Sequence, residues 1–119
     1  MKSKNNDCCS LIAAPLPDAE PLAQICQALG EPTRLQILAL IAAQGEAVCA
    51  CDLVPRFQLS QPTLSHHLKV LKEAGLLDSA RDGRWIRYSI AGDNYRLLQA
   101  FLNRLVGNEA SAVAPSGSV

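Results

Sequence analysis

Residues that start and stop secondary structure recur so closely along this chain that only short elements fit between them. Gly30-Glu31-Pro32, Gly45, Asp52, Ser60-Gln61-Pro62, Gly75 and Asp82-Gly83 each mark a boundary. No piece between them can bury an apolar face alone, so the pieces must share one core. Asp18 is placed to cap a first helix carrying Leu22, Ile25, Cys26 and Leu29 at helical spacing, with Gly30 ending it. Pro32 suits the first turn of a second helix, with Leu35, Leu38, Ile41 and Ala42 as its buried face and Gly45 as its stop. Residues 46–51 read as extended. Asp52 is the expected N-cap of a short third helix, because a start further back would lose a hydrogen bond at Pro55. Ser60 caps a fourth helix with an inward stripe of Leu64, Leu68 and Leu71, closed by Gly75. Residues 76–81 and 84–90 flank Asp82-Gly83, a two-residue hairpin signal, and Ile86, Tyr88 and Ile90 alternate with Arg87 and Ser89. Asp93 or Asn94 caps a last helix bearing Leu97, Leu98, Phe101, Leu102, Leu105 and Val106.

This order predicts a mainly α fold with a β-hairpin wing, a winged helix-turn-helix. Helix three, the turn Gln58-Leu59 and helix four make the helix-turn-helix. The body spans residues 18–107. Residues 1–17, broken by Pro15 and Pro17, read as a flexible N-terminal arm, and residues 108–119 as a disordered tail. At 49% apolar and 18% charged residues the chain as a whole has the composition of a globular protein, which rules out disorder across its middle. Only five residues are aromatic, so the core must be aliphatic. The wide apolar stripe of the last helix suggests a dimer.

Formal net charge is zero, but its distribution is uneven. Residues 1–52 hold three basic and six acidic side chains, whereas residues 53–96 hold seven basic and four acidic. The positive potential therefore lies where helix four and the wing lie. Helix four divides as a DNA-reading helix must. Behind its apolar stripe, Gln61, Thr63, Ser65, His66 and Lys69 form an outer face, with Ser60 at the N-terminus, where backbone N–H groups suit a phosphate. Arg81 and Arg84 flank the wing tip, placed for a phosphate or the minor groove of double-stranded DNA. A merely solvated helix face would look similar. His67 sits on the flank of the buried stripe and reads as a packed, hydrogen-bonded histidine.

No signal peptide or membrane-length apolar run is visible, so a cytoplasmic chain with no membrane partner is expected. There its five cysteines stay reduced, and clustered thiols bind metal or sense redox state. Cys49 and Cys51 lie two apart. In an extended backbone they share one side, about 6.6–6.8 Å apart, and modest bending brings both sulfurs onto one ion. In a regular helix they diverge. The start of helix three favours the thiolate. Two thiolates make a weak site, and Cys8 and Cys9 are the obvious further donors. The nine residues between Cys9 and Asp18 reach up to roughly 30 Å, enough to fold back or to cross to a partner. Cys26, in the stripe of helix one, reads as a buried small hydrophobe. All-thiolate donors select soft species. The last helix contains no histidine, which leaves no zinc or nickel site of histidine and carboxylate ligands there. No Ser/His/Asp arrangement, phosphate loop or second domain is present, so an enzyme is not expected.

Residues 28–38 (ALGEPTRLQIL), 59–71 (LSQPTLSHHLKVL), 73–77 (EAGLL) and 83–88 (GRWIRY) resemble, in order and spacing, motifs of the ArsR/SmtB family of metal-responsive repressors. The resemblance covers about residues 20–106. It implies a homodimer through the first and last helices, a palindromic operator, and repression relieved by metal. Cys49-x-Cys51-Asp52-Leu53 resembles the arsenic- and the cadmium/lead-sensing branches. The arsenic branch often carries a further cysteine where this chain has Val54, so an arm cysteine would complete the site, as in the cadmium/lead branch. The recognition helix is more similar to the arsenic branch. Trivalent arsenic or antimony, As(III) or Sb(III), is the favoured inducer. Cd(II) or Pb(II), or thiol oxidation on the same scaffold, are the alternatives. No permanent cofactor is implied.

Overall fold

The computed structural model describes residues 15–107. Five helices and a small sheet follow in the order α1 (Ala19–Leu29), α2 (Pro32–Gln44), β1 (Val48–Cys49), α3 (Ala50–Phe57), α4 (Gln61–Glu73), β2 (Leu77–Asp82), β3 (Trp85–Ile90) and α5 (Asp93–Val106). This is the winged helix-turn-helix that the element order predicts. Residues 1–14 of the arm and the tail from residue 108, both expected to lack fixed structure, lie outside the described residues.

The core is aliphatic, as the scarcity of aromatics requires. Ile25, Ile37, Ile41, Leu53, Leu64, Leu68, Leu71, Leu76 and Leu77 are its largest fully buried side chains. α4 supplies the central stripe and packs against α1, α2, α3 and β2. Ser60 caps it as expected, accepting from the Thr63 N–H at 3.2 Å. Its other end is a Schellman motif: Leu76 N–H donates to Leu71 O at 3.0 Å, and Gly75 N–H to Lys72 O at 2.9 Å. Gly75 holds φ +75°, and a Cβ there would collide with the Asn94 side chain. That approach serves a bond, because Asn94 Nδ2 donates to Ala74 O at 2.8 Å. Beside it, the Tyr95 hydroxyl donates to Leu76 O at 2.8 Å. The start of α5 is thereby fastened to the corner between recognition helix and wing. Gly75→Ala should cost roughly 1–3 kcal/mol of stability, from left-handed strain plus loss of the Asn94 contact, read as a lowered urea midpoint.

Burial pushes the Tyr95 phenol up to about 12 from 10.0. The folded chain thus keeps a proton that the unfolded chain loses first. This contribution to stability is complete below pH 10.0 and fades as pH rises toward about 12. Ultraviolet titration of the folded protein should show one tyrosine ionising well after a free phenol would.

Several boundaries differ from expectation. The buried face of α2 is Ile37, Leu38 and Ile41, while Leu35 is 49% exposed and Ala42 lies outside the core. Residues 35–43 are apolar nearly throughout, so no polar side sets the phase of that helix. The extended stretch shrinks to Val48–Cys49, which pairs with Tyr88 and Arg87 to give a three-stranded antiparallel sheet in the order β1-β3-β2. The hairpin turn is Gly83-Arg84 rather than Asp82-Gly83, since Asp82 already pairs with Trp85. Positive φ falls on Gly83 (+66°) and not on Arg84, the pattern of a type II′ turn, whose first central position favours glycine. Gly92, not Asp93 or Asn94, occupies the N-cap of α5, because the Asn94 side chain is spent on Ala74.

Candidate functional site

The helix-turn-helix is α3, a turn at Gln58, and α4. Gln58 turns the chain at φ 53°, a left-handed conformation unusual outside glycine. Beyond it Ser60, Gln61, Thr63, Ser65, His66 and Lys69 are all exposed on α4 and its cap. The Ser60 hydroxyl donates to Thr63 Oγ1 at 2.9 Å while accepting the Thr63 N–H, so Ser60 is committed to the helix start and the Thr63 proton stays free to point outward. Arg81 lies on β2 and Arg84 in the hairpin turn, both exposed. Arg87, on the same hairpin, is tied to Asp82 at 2.9 Å. The fold therefore brings every expected DNA-reading side chain to the surface of the recognition helix and wing.

His67 is half-buried, as its place beside the stripe suggests. Its Nδ1 lies 3.3 Å from Arg34 Nη1. Arg34 can only donate, so Nδ1 is the acceptor of this contact. Arg34 Nε also donates to Ala28 O at 2.7 Å, and the Arg34 N–H reaches the Glu31 carboxylate that caps α2. One arginine thus joins the ends of α1 and α2 to the recognition helix. Nothing in the local pattern marked it, because the contact spans 33 residues.

The thiol pair departs from expectation in its backbone. α3 begins at Ala50, not after Asp52. Cys49 is its N-cap, in extended conformation (φ −70°, ψ 136°), and the Cys49 sulfur accepts the Cys51 N–H at 3.2 Å. A thiol sulfur thus fills the role expected of the Asp52 carboxylate. Pro55 then falls at the sixth position of α3 and leaves the Cys51 carbonyl without its helical donor. The sheet decides the matter: once β1 pairs with β3, Cys49 is the last extended residue. The extended-to-helical switch between the two cysteines turns their side chains together. Their Cα atoms are 5.2 Å apart and the structure joins the sulfurs as a disulfide. A pair within reach of a disulfide can, when reduced, also share one ion. Cys49 is 3% exposed, whereas Cys51 faces outward.

Among the described residues, no group of three or more His, Cys, Asp or Glu side chains converges as a metal site. Cys8 and Cys9 lie outside the described residues. Cys26 corrects the expectation of burial. It is exposed, because α1 buries Leu22, Ile25 and Ala28, and Cys26 sits a step of the helix away from that line.

Cys51 also lines a cleft of about 170 Å³ between α3, α4 and the wing. Val54, Leu64, Leu68, Trp85 and Tyr88 give it apolar walls, and Gln61 and Ser65 of the recognition face border it as well. The exposed Trp85, expected only as part of the wing motif, belongs to this cleft. No described helix is long and apolar enough to cross a membrane.

Residues 31–79 match the profile of the bacterial regulatory proteins of the arsR family. The chain is 38% identical over 86 residues to an uncharacterized HTH-type transcriptional regulator of Methanocaldococcus jannaschii, covering 72% of this chain and 96% of that one. It is 40% identical over 89 residues to the arsenical resistance operon repressor of Staphylococcus aureus, covering 73% and 75%. A homodimeric winged helix-turn-helix DNA-binding domain from Mycobacterium bovis superposes with a TM-score of 0.60 at 26% identity, over 81% of this chain and 90% of that one. With these relatives, a recognition helix between α3 and a three-stranded wing sheet, and a cysteine pair at the start of α3, the chain belongs to the ArsR family of transcriptional repressors.

Proposed function

We propose that the protein is a homodimeric, cytoplasmic repressor that releases a palindromic operator when Cys49, Cys51 and an arm cysteine capture As(III) or Sb(III). The observation that carries this reading is the position of the thiol pair. It forms the cap and first turn of α3, the helix that packs against the recognition helix. Arsenous acid loses its three hydroxides as its arsenic bonds three sulfurs, and the three thiol protons leave with them as water. Cys49 and Cys51 supply two sulfurs, and Cys8 or Cys9 supplies the third in place of Val54. Ligation takes the Cys49 sulfur away from the Cys51 N–H and pulls on a helix that Pro55 already weakens. A coupling of about 1–3 kcal/mol is enough for a 5- to 150-fold change in operator affinity. Several relatives are named for arsenical resistance, which supports the arsenic reading, and one is named for cadmium resistance, which keeps Cd(II) as the alternative.

DNA is read by Gln61, Thr63, Ser65, His66 and Lys69, with Arg81 and Arg84 on the wing. The test uses a duplex that the reduced protein selects from a random pool. Gln61→Ala should cost about 1–3 kcal/mol on that duplex and relax preference at one base. Lys69→Ala should weaken all duplexes alike and reduce the salt slope by about one. Unchanged affinity in both variants would remove α4 from the interface.

A second reading has its own observation. The Cys49–Cys51 disulfide makes thiol oxidation an alternative input. Release by an oxidant that persists with chelators present and reverses with a reductant would favour it.

A further inference from the structure

We infer that the contact between Arg34 and His67 is a strap that sets the distance between the two recognition helices of the dimer, and so selects the half-site spacing of the operator. The inference rests on the reading of the protein as a dimer on a palindrome. Arg34 is a positioning residue in this role, since it acts on DNA only through His67. His66, the next residue along α4, lies on the exposed reading face.

α4 is fastened at two levels to the helices assigned to dimerisation. At its foot, Asn94 and Tyr95 of α5 donate to Ala74 O and Leu76 O, and Gln24 Nε2 of α1 donates to Glu73 O at 3.4 Å. Nearer the reading end, among the described residues, one polar bond crosses to another helix, Arg34 Nη1 to His67 Nδ1 at 3.3 Å. The guanidinium is itself anchored on α1, with Nε donating to Ala28 O at 2.7 Å and Nη2 to Gln27 O at 3.4 Å. Those carbonyls belong to the last turn of α1, the negative end of its dipole. A planar guanidinium holds α1 and His67 at once in fixed geometry. Side-chain packing does not fix the gap that it bridges. A groove of about 360 Å³ runs between α1 and α4 here, with Gln24, Gln27, Val70 and Glu73 in its walls. Leu64 and Leu68 hold α4 to the core, but apolar contact is non-directional.

Cutting the strap therefore lets the reading end of α4 tilt about its fixed foot. Gln61 lies thirteen residues from Ala74, which is about 20 Å along a helix. A tilt of about 5° over that length moves the reading end by almost 2 Å, and the two-fold axis doubles this to about the 3.4 Å rise of one base pair. Half-site separation is a geometric property of a dimer with helices in successive major grooves. The strap is thus placed to discriminate spacings that differ by a single base pair.

The experiment measures binding of reduced wild type, His67→Leu, His67→Gln and Arg34→Lys to four duplexes. These are the pool-selected duplex, the same duplex with its spacer one base pair shorter or longer, and a single half-site. Wild type should prefer the selected spacing over either neighbour by about tenfold or more. His67→Leu should lose about tenfold on the selected duplex and little on the other three, so that the spacing preference collapses. His67→Gln should keep the preference, because its amide oxygen can accept from Arg34. Arg34→Lys should lose it, because a point donor cannot hold Ala28 O and His67 together. An unchanged preference in His67→Leu, a loss shared by all four duplexes, or no rescue by glutamine would each overturn the inference. The parent reading fails separately. Wild type that sediments as one chain or shows no spacing preference sinks the palindromic dimer. A wild-type preference that His67→Leu retains sinks the strap and leaves the dimer standing.

Discussion

Cys51→Ser should bind the operator as tightly as wild type and lose its response to arsenite. The side chain is exposed, fills no part of the core, and sits in the first turn of α3, where serine is well tolerated. Folding and DNA binding have no reason to change. The inducer response has every reason to change, since a hydroxyl does not replace a thiolate on arsenic. The 5- to 150-fold loss of operator affinity expected from arsenite in wild type should vanish. Cys49→Ser carries the same expectation with a different background cost. Cys49 is 3% exposed and caps α3, so a serine there buries a hydroxyl. That hydroxyl inherits the Cys51 N–H, and serine is a strong N-cap. Thermal unfolding should shift little in either variant. A Cys51→Ser protein that still released operator at wild-type arsenite concentrations would remove the pair from the sensor.

The second large effect concerns the last helix. α5 buries no residue fully in the single chain, and Leu102, Leu105 and Val106 are 49%, 65% and 64% exposed. Fully covering one such side chain contributes roughly 1.5–3 kcal/mol. An unpartnered row of this kind at the end of a helix that also packs on α1 is where the second protomer is expected to bind. Leu102→Asp with Leu105→Asp leaves the single chain intact, because both positions already face water. In a dimer the same change buries uncompensated charge. Sedimentation should therefore report the mass of one chain instead of two. Operator affinity should fall by about 10²–10⁴-fold as two linked half-site contacts become one. Circular dichroism should remain that of the folded protein. A double variant that stays dimeric would place the interface elsewhere.

How much of this was legible before the structure depends on how local each signal is. The recognition helix was readable because Ser60 and Gly75 bracket it and Leu64, Leu68 and Leu71 have one phase. The exposed partners Gln61, Ser65 and Lys69 follow from the same phase. The start of α3 was not readable. The local signal, the hydrogen bond lost at Pro55, favours Asp52 as the cap. It carries no trace of the pairing of Cys49 with Arg87, which ends the strand and sets the helix start. That pairing also creates the extended-to-helical junction that brings the two sulfurs together. The expected requirement for a non-helical backbone at the pair is thus met at Cys49 alone. Cys26 was misplaced by a single step of α1, since Leu22, Ile25 and Leu29 define a line that passes close to it. Arg34 with His67, and Trp85 in the cleft, are contacts between distant segments and leave no periodic trace.

The central claim is that thiolate capture at α3 and release of DNA at α4 are one event. It is tested most directly by titrating arsenite into the reduced wild-type protein on its labelled duplex, following sulfur-to-arsenic absorbance and duplex anisotropy in the same cuvette. The account predicts that the two signals rise and fall together and saturate when arsenic equals protomer, with both lost in Cys51→Ser. Arsenic bound to completion while the duplex stays on the protein, or release before any sulfur-to-arsenic absorbance develops, would contradict it.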